Sequence, residues 1–236
     1  MTETASTSRT LEPGLKGMVD DWASDQQAMK KVSWGKAMMW LFLLSDIFIF
    51  GIFLLGYMVA RMSAVEPWPD ASEVFALTAF GVYVPLLLIA LMTFILITSS
   101  GTMALAVKYG YAKDRKKTAI LLMVTALLGL TFLGMQAFEW YKLIDDGVRP
   151  WGNPFGAAQF GATFFLITGF HGTHVTIGVI FLIIMAVKVM RGDLETEKPG
   201  FLTGRKGRYE MVEVLGLYWH FVDLVWVFIF ALYYLW

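Results

Sequence analysis

Five long runs of apolar residues follow one another along the chain, separated by short polar segments. The runs cover residues 37–60, 76–107, 118–138, 155–187 and 209–236. About 20 predominantly apolar residues are enough for a helix to cross the hydrocarbon core of a bilayer, and every run reaches that length. The pattern therefore predicts an all-α integral membrane protein built as a bundle of five transmembrane helices.

The polar segments between the runs indicate how the chain is divided. Residues 1–33 are polar and contain no apolar stretch typical of a cleavable signal peptide. We therefore expect a polar cytoplasmic N-terminal arm, followed by one membrane domain over residues 34–236. Pro85 lies early in the second run and predicts a kink there. The fourth run is longer than a membrane requires, so we expect its start to lie along the interface.

Basic residues are distributed unequally between the two sides that a five-span topology defines. Sixteen of the 19 lysines and arginines fall in the N-terminal arm, in the link after the second run or in the link after the fourth run. Arg61, Lys142 and Arg149 are on the other side. Because cytoplasmic segments of membrane proteins are enriched in Lys and Arg, the N-terminus is predicted to be inside and the C-terminus outside.

The overall composition excludes several classes of function. Charged residues make up only 16% of the chain and hydrophobic residues 57%, whereas soluble domains carry about 25% charged residues. The formal net charge is zero and no basic tail exists, which argues against a nucleic-acid partner. The chain contains no cysteine, so disulfides, thiolate metal sites and thiol catalysis are excluded.

The last run is apolar but carries three ionisable residues, Glu213, His220 and Asp223. At about 100° per residue, these three side chains share one face of a helix. An ionisable group that faces lipid costs free energy, so this face must look into protein or into a wet cavity. We expect the three residues to meet His171 or His174 of the fourth run in one polar cluster.

The remaining polar groups inside the runs allow more than one interpretation. Asp46 lies near the middle of the first run and either ties helices together or serves proton handling or a subunit contact. His171 and His174 are three residues apart, a spacing that would suit metal or haem ligation. Because the chain has only three histidines, packing histidines are favoured. Gln136 and Glu139 are expected to form an inward-facing polar cap near the outer end of the third run.

Four stretches together resemble subunit III of the haem-copper oxidases. They are Ser45-Asp46, Gly134-Met-Gln-Ala-Phe-Glu-Trp, Thr168-Gly-Phe-His-Gly-Thr-His-Val-Thr-Ile-Gly and Tyr218-Trp-His-Phe-Val-Asp-Leu-Val-Trp. The resemblance covers residues 34–236, and the last two stretches are the most specific.

The resemblance implies an accessory, non-catalytic subunit of a proton-pumping oxidase that reduces oxygen to water, in the plasma membrane of a bacterium. Such a subunit binds no cofactor of its own and associates with subunit I, which carries the haem and copper, and with subunit II. It also implies bound phospholipid, and we expect a headgroup at Arg205, Arg208 and Trp219. The implied roles are assembly, lipid binding, oxygen access and sustained proton uptake by subunit I.

The chain departs from the family pattern in two respects. Longer members have seven helices, and this sequence matches only the last five, so another subunit supplies the first two or they are absent. Asp46 stands where mitochondrial-type members have Glu, as in the quinol oxidase type, whereas Phe170-His-Gly and Tyr218-Trp-His-Phe-Val are more similar to the cytochrome c oxidase type. We favour cytochrome c over quinol as the electron donor.

Three other classes of protein remain as alternatives. An accessory subunit of nitric oxide reductase would also have five helices. A di-haem membrane cytochrome would need histidines paired across helices. A transporter would be expected to show repeats or broken helices, and none is visible in the sequence apart from Pro85.

Overall fold

The computed structural model describes residues 34–75, 77–79, 82–84, 86–195 and 209–236. Its elements are α1 (Trp34–Met62), α2 (Ala71–Val74), β1 (Leu77–Ala79), β2 (Val82–Val84), α3 (Leu87–Tyr111), α4 (Arg115–Asp145), α5 (Gln159–Arg191), α6 (Glu210–Phe230) and a π-helical turn (Ala231–Leu235). Within this part of the chain, five helices are long and apolar enough to cross a membrane, which confirms the predicted fold class. The expected N-terminal arm lies outside the described residues.

The second run does not become helix along its whole length. Two short segments of it, β1 and β2, form antiparallel strands in which Leu77 pairs with Val84 and Ala79 with Val82, and α3 begins only at Leu87. The predicted helical start at residue 76 is therefore wrong. Pro85 itself, at which the sequence predicted a kink, lies outside the described residues.

Local signals fix the ends of the other long helices. The side chain of Asp114 accepts a hydrogen bond from the Lys117 amide at 3.1 Å and caps α4. This bond holds the pKa of Asp114 below its ordinary value. Gly192 ends α5 with a φ of 80°, a left-handed conformation that suits glycine. α5 begins at Gln159, four residues after the predicted start of the fourth run at residue 155.

The five long helices form one bundle in which α6 is the most enclosed. α3 packs against α4, α4 against α5, and α6 contacts α1, α3 and α5. In the most apolar stretch of each helix, 56% of the residues are buried in α6 but only 17% in α1. α6 is therefore the central element, and α1 is the helix with the largest uncovered surface.

Trp219 of α6 fills the middle of the bundle. Its side chain is completely buried, and its indole nitrogen donates a hydrogen bond to Ser99 Oγ at 3.0 Å. A methyl group added at Gly129 of α4 would lie 2.7 Å from the Trp219 ring, and one at Gly178 of α5 would lie 2.8 Å away. The two glycines therefore allow α4 and α5 to approach α6 closely enough to enclose the indole.

Polar contacts close both ends of the bundle. At one end, which we call the basic end, Glu213 of α6 forms an ion pair of 2.7 Å with Lys36 of α1 and accepts a hydrogen bond from Tyr111 of α3. At the opposite end, the Tyr57 hydroxyl of α1 donates to the Leu232 carbonyl at 3.0 Å. These contacts fix α6 between α1 and α3. The orientation of the two ends relative to the cytoplasm stays a prediction.

Candidate functional site

A carboxylate and an imidazole meet in the interior of the bundle between α1 and α5. Oδ2 of Asp46 lies 3.1 Å from Nε2 of His174. Asp46 is only 4% exposed and His174 only 9%. The rings of Phe50 and Phe170 pack against the imidazole, with ring centroids 5.4 and 4.7 Å away. The pair is therefore enclosed by apolar side chains.

The hydrogen bonds of His174 determine how a proton is held in this pair. Nδ1 of His174 lies 2.9 Å from the carbonyl oxygen of Phe170. A carbonyl oxygen only accepts hydrogen bonds, so Nδ1 carries a hydrogen. A single further proton then lies between Nε2 and the Asp46 carboxyl, either as a neutral pair or as an ion pair. The Tyr218 hydroxyl donates to the His174 carbonyl at 2.9 Å and joins α6 to the same turn of α5.

His171 lies one turn away on α5 but makes a separate contact. Its Nε2 is 3.2 Å from the Val222 carbonyl oxygen of α6, so Nε2 donates the hydrogen bond. Nδ1 is buried and has no hydrogen-bond partner among the residues that the structure describes. The ring packs against Phe132 and Trp226 at 5.7 and 5.2 Å between centroids. His171 therefore behaves as a packing histidine that ties α5 to α6.

Gln136 and Glu139 form a second polar group near the end of α4 opposite the basic end. The Gln136 amide donates to Glu139 Oε2 at 2.7 Å. The Tyr234 hydroxyl, from the π-helical turn, lies 3.2 Å from Oε1 of the same carboxyl group. Glu139 is only 4% exposed. The group therefore fastens the end of the last helix to α4, as an inward-facing polar cap would.

A third polar group joins α3 and α6. Oγ of Ser100 lies 2.6 Å from Nδ1 of His220. Asp223, one turn further along α6, is 7% exposed and lies beside the Ser100 hydroxyl. Neither Asp223 oxygen makes a hydrogen bond of acceptable geometry within the described residues. His220, unlike the other two histidines, is only half buried.

The expected single cluster is not formed. His220 and Asp223 face α3, while His171 and His174 contact other partners, and Glu213 binds Lys36 at the basic end. Glu213, His220 and Asp223 do share a general side of α6, as predicted. That side, however, faces α3 and the space between α1 and α3, where Glu213 binds Lys36 and His220 binds Ser100.

The structure also corrects one expected lipid contact. The Trp219 side chain is 0% exposed at the centre of the bundle, so it offers no surface to a lipid headgroup. Arg205 and Arg208 lie outside the described residues. The sequence analysis did not single out Ser100, which binds His220, or Tyr234, which binds Glu139. Tyr218 belonged to a recognised stretch, but nothing in the sequence indicated that its hydroxyl would bind the His174 carbonyl.

No metal centre is evident in the part of the chain that the structure describes. Among those residues, no group of three or more His, Cys, Asp or Glu side chains could hold a metal ion. The three histidines are directed to three different partners, so they do not form a ligand set. The expectation that the chain binds no cofactor stays a prediction.

The bundle and its interior polar contacts define a multi-pass helical membrane protein in which polar side chains join neighbouring helices, as Asp46 joins His174 and His220 joins Ser100. The family model for cytochrome c oxidase subunit III matches residues 21–236. The chain therefore belongs to the cytochrome c oxidase subunit III family. This confirms the resemblance inferred from the four sequence stretches.

Similar proteins carry names from two types of oxidase. The chain is 33% identical over 202 residues to a probable cytochrome c oxidase subunit 3 of Rickettsia conorii, a match that covers 83% of this chain and 65% of that protein. A probable quinol oxidase subunit 3 of Staphylococcus aureus is 29% identical over 196 residues, which are 83% of this chain and 86% of that protein. The chain thus spans slightly less than two thirds of the Rickettsia protein.

Proposed function

We propose that the chain is subunit III of a haem-copper terminal oxidase, with cytochrome c as the electron donor. In this proposal it binds no redox cofactor and supports the assembly, proton uptake and oxygen access of subunit I, which holds the haem and copper. Its further partners are subunit II and phospholipids, and the complex lies in the plasma membrane of a bacterium.

The family match over residues 21–236, together with the use of the three histidines, carries the proposal. Each histidine engages a partner from a neighbouring helix through one ring nitrogen: His171 the Val222 carbonyl, His174 the Asp46 carboxyl and His220 the Ser100 hydroxyl. A haem or copper centre of the oxidase type needs several imidazoles that converge on one point. These imidazoles diverge, which supports an accessory role.

The buried Asp46 and His174 pair supports a role in holding α1 on the bundle. α1 has the fewest buried residues of the five helices, so one polar contact in its middle contributes a large share of its attachment. Inside hydrocarbon, the alternative to this contact is an unpaired carboxyl group. We propose that the pair keeps α1 in place while subunit I turns over, and that its proton takes no part in the pumping cycle.

A groove on α4 fits the expected phospholipid better than Trp219 does. The groove has a volume of about 830 Å³, with Arg115 and Lys116 at one end and apolar side chains from Ala119 to Leu127 along its length. This arrangement suits an anionic phospholipid, with the phosphate at the basic end and an acyl chain along α4. Lys116→Ala should lower the phospholipid retained per complex, measured by lipid mass spectrometry. Lys108→Ala, on exposed α3 surface, is the control.

Purification through a tag on this chain tests the proposal. Mass spectrometry should find subunits I and II in equal amounts with the tagged chain, and the complex should show the haem spectrum of an oxidase. Oxygen consumption should be supported by reduced cytochrome c. A complex that reduces nitric oxide instead, or a tagged chain that purifies without any haem protein, contradicts the proposal.

A quinol oxidase is the second candidate, because the match covers 86% of the Staphylococcus protein but only 65% of the Rickettsia one. The two candidates differ in the donor that sustains turnover. Oxygen consumption with quinol but not with cytochrome c selects the quinol oxidase.

A further inference from the structure

Between the two helices that flank it, α6 has one face that the described part of the chain does not cover. α6 packs against both α1 and α3. At about 100° per residue, its half-buried and exposed residues on this side fall within an arc of about 100°. We call this arc the α6 stripe; it consists of Glu213, Leu217, His220, Leu224, Val227 and Phe228. Leu224 is 55% exposed and Phe228 53%, so the stripe is open to the surroundings of the bundle.

His220 places a polar atom in the middle of this apolar stripe. It follows the start of α6 by ten residues, which is about 15 Å of helix and therefore near the centre of a hydrocarbon core about 30 Å thick. Nδ1 of His220 binds the Ser100 hydroxyl, whereas Nε2 has no hydrogen-bond partner among the described residues. Whichever tautomer is present, Nε2 is a hydrogen-bonding atom.

The residues beside His220 do not satisfy this atom. Leu217 and Leu224, one turn before and one turn after it on the stripe, have no polar side-chain atoms. Asp223 turns toward Ser100 and is buried. A lipid chain cannot form a hydrogen bond, and water is scarce at this depth, so an open Nε2 in the bilayer costs free energy.

We propose that the α6 stripe is the docking surface for a transmembrane helix of another oxidase subunit, whose side chain forms a hydrogen bond with Nε2 of His220. The proposal rests on the proposed function as an oxidase subunit. A helix with an apolar face and one Ser, Thr, Asn or Gln at the depth of His220 matches the stripe, because Leu217 and Leu224 supply the apolar contacts on either side. Helices in membranes associate through such packing combined with interhelical hydrogen bonds.

Photo-cross-linking in the purified complex tests which molecule lies on the stripe. The photoreactive residue p-benzoylphenylalanine is placed at Leu224, and in a control at Ile180 of α5, which is similarly exposed at 52%. After illumination, the residue at position 224 should be joined to a transmembrane segment of another subunit, and the residue at position 180 to lipid. Adducts at position 224 with lipid alone, with a second copy of this chain or with another part of the same chain each overturn the proposal.

Two substitutions of His220 separate the contact of Nε2 from that of Nδ1. In His220→Asn the amide can replace Nδ1 toward Ser100 but does not reach the position of Nε2, whereas in His220→Gln the amide reaches toward Nε2. If the docking helix binds Nε2, the Asn variant should dissociate from the complex in detergent about threefold faster than the parent, as expected for the loss of one interhelical hydrogen bond. The Gln variant should dissociate at the parental rate. Dissociation of the Asn variant at the parental rate overturns the proposal.

The outcomes for the stripe and for the function are distinct. A tagged chain that purifies without any haem-bearing subunit refutes the oxidase function. A chain that purifies with that subunit, but whose position 224 reacts only with lipid, refutes the stripe and leaves the function intact.

Discussion

His174 and His220 lie in apolar helices of the same bundle, yet their ring nitrogens differ in their hydrogen bonds. Both nitrogens of His174 are engaged, one by the Phe170 carbonyl and one by the Asp46 carboxyl, and the residue is 9% exposed. His220 has one nitrogen on Ser100, and its other nitrogen lies on the uncovered side of α6. The first histidine completes contacts within the chain, and the second leaves one contact for another molecule.

The comparison shows that the role of a polar residue in a membrane helix depends on the hydrogen-bond partner of each of its polar atoms. A fully paired group stabilises the chain itself, because its removal strands a buried partner. A half-paired group on an open face contributes little to the isolated chain. Substitutions on the two kinds of site should therefore affect different quantities: the stability of the chain in the first case, and its retention in the complex in the second.

The largest effect is expected on the enclosed side of α6. Trp219→Ala removes a completely buried indole and its hydrogen bond to Ser99. Truncation of a buried tryptophan costs about 3–5 kcal/mol, so the midpoint of thermal unfolding in detergent should fall steeply or the chain should fail to accumulate. Leu224→Ala, on the α6 stripe, is the control and should change stability by no more than about 0.5 kcal/mol. Equal effects of the two substitutions contradict the packing described for α6.

The next effect concerns the buried pair between α1 and α5. Asp46→Leu leaves Nε2 of His174 without a partner, which should lower the free energy of unfolding by about 1–3 kcal/mol. Asp46→Asn keeps a hydrogen bond to Nε2 and should be closer to the parent. The measurement is thermal unfolding of each purified variant.

The same two variants separate the structural role from a role in proton handling. Asn cannot titrate, so the complex that contains Asp46→Asn should keep its turnover and its pH dependence if the pair is structural. Loss of sustained turnover in the stable Asn variant assigns the proton of the pair to catalysis and refutes the structural role.

A smaller effect is expected from the hydroxyl that binds the same turn of α5. Tyr218→Phe removes the hydrogen bond from Tyr218 to the His174 carbonyl and should cost about 1 kcal/mol. Thermal unfolding measures the loss. Tyr111→Phe, at the exposed basic end, is a matched control that should cost less because water can replace its bond to Glu213. A larger loss for Tyr111→Phe reverses the expected order.

The smallest effect on the isolated chain is expected at His220. His220→Asn keeps an amide nitrogen or oxygen near Ser100, and the other side of the residue faces no described partner. The unfolding free energy of the chain alone should change by no more than about 0.5 kcal/mol. A loss as large as that of Asp46→Leu shows that His220 is a structural residue like His174.

The spans were predictable from the sequence because length and hydropathy alone decide whether a segment can cross a membrane. The paired strands before α3 were not predictable in this way, since their residues are as apolar as those of the helix that follows. Helical periodicity placed Glu213, His220 and Asp223 on one side of α6. Periodicity did not indicate how α6 is rotated against its neighbours. In the structure this rotation brings His220 to Ser100, while the Asp46 carboxyl binds His174.

Nitrogen-15 spectra of the histidines test the difference between His174 and His220 most directly, because the chain has only three histidines. The chain is labelled with [15N]histidine and measured alone and in the assembled complex, with the signals assigned by His→Gln variants. Assembly should shift the Nε2 signal of His220 toward that of a hydrogen-bonded nitrogen and leave the signals of His174 unchanged. An unchanged His220 signal, or a shift at His174 instead, would contradict the account.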